Sequence, residues 1–331
     1  MADKKFVIAG AALLDVLASP VDASVFASGS LPAETIAMTT GGDAMNEACV
    51  LASLGADVKL VSKLGEDFAA DRILESCRRL GIGTEYIRRT GEMPTSINLV
   101  LVDQSGERHF ITSPRGTLRR FYPEDLPEQA LENGAVFCFA SIFVAPAFDH
   151  AVLRELFLSA RERGMTVCAD MTKRKNGETL EEMRDCLACL DYIFPNYEEA
   201  ALLTGLSDWE EIADAFLDCG VGTAVIKAGA KGCFLKTRSR ASEGREGFWV
   251  PACKGVRCVD TTGAGDTFTA CFLYALSRGC SLKKCGQFAN AGASLCVERV
   301  GAPGEGLLLP EILERAGFRD EKDCAFGDLT I

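Results

Sequence analysis

The sequence predicts a three-layer α/β/α protein, with helices on both faces of a mainly parallel central sheet and a small second sheet projecting from it. Three observations carry this. Short apolar runs alternate with amphipathic helical stretches for most of the 331 residues, the pattern of repeated strand–helix–strand units. Two stretches, 15–40 and 94–112, break that alternation. The chain is 48% hydrophobic and 25% charged, which suits one packed core and excludes general disorder.

Taken in order, residues 5–12 read as a buried strand and 46–54 as a helix closing on Gly55. Residues 57–63 read as a strand, and 68–80 as a helix ending before Gly81, a residue suited to the left-handed turn that stops helices. Residues 94–112 read as two strands about the turn Asp103-Gln-Ser-Gly106, because period-two alternation and such a turn make a hairpin. With 15–40, which lacks a good helix, this segment composes the small sheet. Strands follow at 135–140, 166–170, 192–195, 223–227 and 232–236, with helices at 150–163 and 180–190. No linker rich in Pro, Gly or Ser interrupts them, so residues 1–331 read as a single domain.

The net charge of -12 and the lack of a basic stripe argue against nucleic-acid binding. No apolar stretch is long enough to span a membrane. Lys4 and Lys5 precede only a short apolar run that Asp15 interrupts, so no secretory leader is expected and a cytoplasmic location is. The 15 cysteines sit mostly among apolar residues, as Cys138 and Cys168 do, and read as reduced core residues. Cys186 and Cys189 have a Cys-x-x-Cys spacing, but no second pair stands at zinc-ribbon distance.

Chemistry concentrates at Asp260-Thr-Thr262-Gly263-Ala264-Gly265-Asp266, a glycine-rich turn leading into an apolar helix. Glycines let backbone N–H groups approach an anion, and the helix N-terminus adds a positive dipole end. A carboxylate there is placed to take a proton from an attacking hydroxyl. Asp266 reads equally as a helix cap. There is no Walker loop and no Gly-x-Gly-x-x-Gly fingerprint.

Two segments together resemble the signatures of the ribokinase-like (PfkB) carbohydrate kinase family. Gly41-Gly42-Asp-Ala-Met-Asn46-Glu-Ala through to Lys63-Leu-Gly65-Glu-Asp67 looks like its N-terminal signature, and Asp260–Asp266 like its C-terminal one. The resemblance covers essentially the whole chain. It implies an ATP-dependent kinase for a small sugar-like alcohol, with Asp266 as base and the N–H groups of Gly263, Ala264 and Gly265 beside it. It assigns Asp15, Gly41, Gly42 and Asn46 to the substrate, with Asn98 and Arg108 on a lid made of 15–40 and 94–112. It assigns Asn196, Lys227, Gly229, Gly232, Gly265 and Asn290 to the nucleotide, and Glu199 to magnesium through water. It implies potassium activation at oxygens of Asp260 and Thr262 and near Cys296, Arg299 and Gly301, and a homodimer formed through the lid.

Bland readings stand beside these. Asn46 also fits a helix cap, Glu199 a solvated helix charge, Lys227 a strand end and Asn290 tight helix packing. Leu14, Asp43 and Ser141 depart from the family's ribose-specific members. Gly-Gly-Asp-x-x-Asn is closer to its ketodeoxygluconate kinases, for which Lys173 and Arg174 could supply positive charge. A nucleoside kinase, with a base seated by Ile142 and Phe143, and a non-catalytic sugar-binding regulator are the alternatives.

Overall fold

Alternation of strand and helix runs the length of the chain. The computed structural model describes residues 4–104, 107–238, 244–299, 301 and 306–320, so half of the expected Asp103–Gly106 turn lies outside the described residues. The elements are β1 (Lys5–Ala9), β2 (Leu13–Ser19), the short α1 (Val25–Ser28), β3 (Thr35–Gly41), α2 (Asp43–Ser53), β4 (Asp57–Gly65), α3 (Phe68–Leu80), β5 (Gly83–Thr90), β6 (Ile97–Val102) and β7 (Arg108–Thr112). Then come β8 (Val136–Ile142), α4 (His150–Glu162), β9 (Thr166–Met171), α5 (Leu180–Leu187), β10 (Tyr192–Ile193), α6 (Tyr197–Thr204), α7 (Trp209–Asp218), β11 (Thr223–Lys227), β12 (Cys233–Arg238) and β13 (Arg245–Val250). Three helices close the described chain: α8 (Ala264–Ser277), α9 (Leu282–Val297) and α10 (Leu309–Ala316).

The central sheet has nine strands in the order β13-β12-β11-β10-β9-β8-β1-β4-β5. It is parallel from β11 to β5, with β12 and β13 added antiparallel at one edge. Strand alternation divides its side chains between two cores. Phe6 and Ile8 of β1 join the apolar faces of α2, α3, α8 and α9. Val7 and Ala9 join those of α4, α5 and α7. Four strands make the second sheet, ordered β3-β2-β6-β7.

Two boundaries differ from expectation, and glycine explains both. The first strand stops at Ala9 rather than running to residue 12, because Gly10 takes φ 145° and turns its N–H to the Val61 carbonyl at 3.0 Å. Asp15 therefore lies not at the end of that strand but within β2 of the small sheet. Helix α2 opens at Asp43, three residues before Asn46, behind Gly42 at φ 95° with no capping side chain. Strands β5 and β13 and helices α6, α7 and α10 add to the elements read from sequence.

Cys186 and Cys189 are free and buried; among the described cysteines only Cys280 is disulfide-bonded. No described helix is long and apolar enough to cross a membrane.

Candidate active site

Gly263 is the N-cap of α8, at φ 70°, and offers no side chain to the helix end. Asp266 stands in the first turn, so it is not the cap. The Ala264 N–H is spent on the Thr261 carbonyl at 3.2 Å, which removes it from the expected anion-holding set. Gly265 and Asp266 follow, where a helix start leaves N–H groups without helical acceptors. A Cβ at Gly265 would lie 3.4 Å from Lys227 Nζ. Asn46 is interior to α2, not a cap, and its Nδ2 donates to Asp266 Oδ2 at 2.7 Å. Burial first, then the Asp43 carboxylate, push the Asp266 carboxyl well above the usual carboxylate range; Asn46 and Lys227 oppose them.

The small sheet supplies the neighbouring face. Asn98 Nδ2 donates to Asp15 Oδ1 at 3.1 Å across paired strands, and Asn98 Oδ1 is buried with no hydrogen-bond partner. Gly41 passes so close that a Cβ there would lie 2.1 Å from Asp15 Oδ2. At Gly42 a Cβ would meet the Ala11 carbonyl oxygen at 2.6 Å. Burial raises the Asp15 carboxyl, with Asn98 and Arg108 working against it. Phe110 shares that face by register and is exposed. Ile142 is packed in the core and Phe143 lines a separate cavity of 300 Å³, so neither opens a base-sized pocket beside Asp266.

Asp266 also lines a cavity of 770 Å³, which reaches from Asp43 and Asp170 past Lys227 to Ala252 and Asn290. Its polar groups stand at the carboxyl ends of parallel strands, where open α/β sheets bind ligands. The Lys227 ammonium is not free: it pairs with Asp170 Oδ2 at 2.5 Å, and Thr269 Oγ1 donates to the same oxygen at 2.8 Å. Burial works against the charged lysine, yet Asp170 and Glu199 outweigh it and raise its pKa. Asn196 and Glu199 form a capping box on α6: Asn196 Oδ1 accepts the Glu199 N–H at 2.9 Å, and Glu199 Oε2 the Asn196 N–H at 2.8 Å. Glu199 is only partly exposed, and burial pushes it up to about 7, with Lys227 opposing. Both line the cavity. So do Gly229 and Gly232, although a Cβ at Gly232 would strike the Val250 carbonyl oxygen at 2.1 Å. Asn290 also lines it, but its Nδ2 donates to the Val250 and Pro251 carbonyls, each at 3.1 Å. It ties down the end of β13, the packing role.

Several of the oxygens expected to hold potassium already accept hydrogen bonds. Asp260 Oδ1 accepts the Thr262 N–H at 2.8 Å, and Oδ2 accepts the Gly301 N–H at 2.6 Å and the Arg108 guanidinium. The Thr262 carbonyl accepts the Cys296 thiol at 3.4 Å, and the Cys296 carbonyl the Arg299 N–H at 3.1 Å. With the Arg108 guanidinium already on Asp260 Oδ2, a second cation at that oxygen would face a like charge, and Arg108, expected at the substrate, is engaged there.

Three acids of the site carried no assigned role in the sequence: the half-buried Asp43 and the buried Asp170 and Glu47. Asp43 accepts from Ser141, and burial raises it. Burial raises Asp170 too, against Lys227. A carboxylate ending the apolar run Thr166-Val-Cys-Ala-Asp170 was the available signal for it.

The model of the pfkB family carbohydrate kinases matches residues 3–305. A ribokinase of Staphylococcus aureus (strain COL) is 31% identical over 281 residues, covering 82% of this chain and 86% of its own. A 2-dehydro-3-deoxygluconokinase of Bacillus subtilis (strain 168) is 29% identical over 305 residues, covering 86% and 87%. The structure of Arabidopsis thaliana ribokinase complexed with ribose and ATP superposes with a TM-score of 0.78 at 25% identity, over 96% of this chain and 99% of that one. With the site lying where such a sheet collects its ligands and the match spanning most of its length, this chain belongs to the pfkB family of carbohydrate kinases.

Proposed function

We propose that this chain transfers the terminal phosphoryl group of ATP to a primary hydroxyl of a small sugar or sugar acid. One observation carries the reading: Asp266 is held by Asn46 at the open first turn of α8, where it lines the 770 Å³ cavity, and the Asp43 carboxylate bears on both it and Asp15. Asp266 takes the hydroxyl proton as the bond to phosphorus forms. A raised pKa suits a base working near neutral pH. The N–H groups of Gly265 and Asp266 hold phosphoryl oxygens, and Gly263 supplies the turn that exposes them. Asp15, the Asn98 amide and the close backbone of Gly41 and Gly42 present hydrogen-bond partners to sugar hydroxyls.

The residues fit a magnesium nucleotide. Glu199 Oε2 holds the Asn196 N–H, while Oε1 makes no hydrogen bond among the described residues; a hard carboxylate oxygen of this kind orients metal-bound water. Magnesium, when bound, neutralises phosphate charge. Lys227 sets the field at the phosphates through its pair with Asp170.

Lys173 and Arg174 are engaged elsewhere, with Glu198 at 2.7 Å and the Glu178 carbonyl at 2.8 Å. Lys175 instead feels both Arg119 and Asp43. Neither Lys175 nor Arg119 has an ion-pair partner among the described residues, which favours the sugar-acid arm. The small sheet acts as a lid that excludes water, and its outer face is covered by a second copy of the chain. An ATP donor fits a cytoplasmic location.

Asp266→Asn is expected to fold and bind ATP while losing about a hundredfold or more of turnover, the usual worth of a general base. An ATP-consumption screen over pentoses, hexoses, sugar acids and nucleosides finds the acceptor and supplies the assay. Near-wild-type turnover in the variant would refute the base.

A further inference from the structure

We infer that Arg108, carried on β7 of the small sheet, stands in for a monovalent cation at Asp260 and so couples closure of that sheet to the shape of the turn before α8. The inference rests on the kinase reading for what the turn holds, but not for the contact itself.

Asp260 is deeply buried, its side chain 4% exposed, and that of Arg108 is 15% exposed. A carboxylate so enclosed needs a positive partner and donors for its lone pairs. It has both: the guanidinium and the Gly301 N–H on Oδ2, and the Thr262 N–H on Oδ1. Potassium would bring one positive charge to the same carboxylate, where the guanidinium already lies on Oδ2. Arg108 brings the charge permanently, since guanidinium does not deprotonate in proteins.

The difference is that the guanidinium is tethered. By register, Arg108 sits opposite Val102 on β6, on the face that carries Asn98 and Asp15. It lies near enough to Asp15 to lower that carboxyl's pKa. Its partner stands three residues before Gly263, the N-cap of α8. One side chain therefore spans the sugar-facing sheet and the anion-holding turn. When the sheet swings away, Asp260 loses its counter-charge, and the Thr262 and Gly301 N–H groups that it positions lose their anchor. The turn is complete only with the sheet closed, which restrains phosphoryl transfer to water in the open state.

The test uses the full chain in potassium, sodium and tetramethylammonium chlorides at equal ionic strength, reading thermal unfolding and magnesium–ADP binding by calorimetry. Wild type is expected to unfold at one temperature and bind with one affinity in all three salts. In Arg108→Gln and Arg108→Ala, the vacated oxygen accepts potassium. That ion should then stabilise the variants over tetramethylammonium and tighten magnesium–ADP binding about tenfold, an ordinary coupling between sites. Arg108→Lys, which keeps a charge, should stay closer to wild type. Potassium-specific stabilisation of wild type overturns the inference, and so does an Arg108→Gln variant that potassium leaves unmoved. Failure of magnesium–ADP to bind wild type in any salt would overturn the kinase reading instead, while the unfolding comparison still decides the cation's place.

Discussion

Glu47 is fully buried one position after Asn46, and among the described residues neither of its carboxylate oxygens has a hydrogen-bond partner of ordinary geometry. Burial, then the charges of Asp170 and Asp266, hold its carboxyl well above the ordinary range, with the Cys138 thiol beside it. Burial therefore favours its neutral form in the folded protein more than in the unfolded chain. The stability it contributes is whole below the unfolded carboxylate pKa and is lost as pH rises toward the folded one. Glu47→Gln keeps the shape and removes the proton linkage. Its melting temperature relative to wild type should rise by about 2 °C or more from pH 5 to pH 8; a difference flat in pH would show Glu47 to be ionised in place. The motif made Asp266, Asn46 and Asp15 legible in the sequence. It left Glu47 and Asp170 unread because their neighbours are plain core residues. Nor does a sequence show that Arg108 meets a carboxylate 152 positions away.

Elements with clear punctuation were the readable ones. Helix α3 ends at Gly81 in a left-handed turn, where the sequence puts it. Short elements were less so: α6 and α7 start at Asn196 and Asp208 caps, which look like loop residues until their N–H partners are seen. The small sheet was readable as strands, though not in its order, since β2 pairs with β6 across the intervening elements. Register places Ile36, Met38, Val16, Leu99 and Ile111 on its outer face, and four of these are large exposed hydrophobics. An apolar surface of that kind marks an interaction site. Met38→Lys combined with Leu99→Glu should convert a dimer to a folded monomer in light scattering. An unchanged mass for the double variant, or a monomeric wild type, would sink the proposed pairing.

The whole chain carries a net charge of -12, and its site gathers Asp43, Glu47, Asp170, Glu199 and Asp266 around the ammonium of Lys227. Magnesium is the missing counter-charge in the proposed reaction. Glu199, at about 7 in the metal-free protein, must lose its proton to serve it. Half-saturating magnesium for ADP binding should therefore rise about tenfold from pH 7.5 to pH 6, because metal and proton compete for one carboxylate. Glu199→Gln should flatten that dependence, and an equal slope in both proteins would remove Glu199 from the metal.

Layer order and parallel topology were legible at this scale because strand and helix alternate. The tilt of one sheet onto the other was not, since it hangs on single side-chain contacts.

The small sheet has a last consequence, for descent rather than for catalysis. On β2, Asp15 and Leu17 look to one face while Val16 and Ala18 look to the other, so neighbouring codons answer to different selection. A lineage changing its acceptor rewrites alternate letters of these strands and can leave the letters between them as inherited. A single-codon insertion exchanges the two sets at once, so such lineages should diverge here by substitution and not by length.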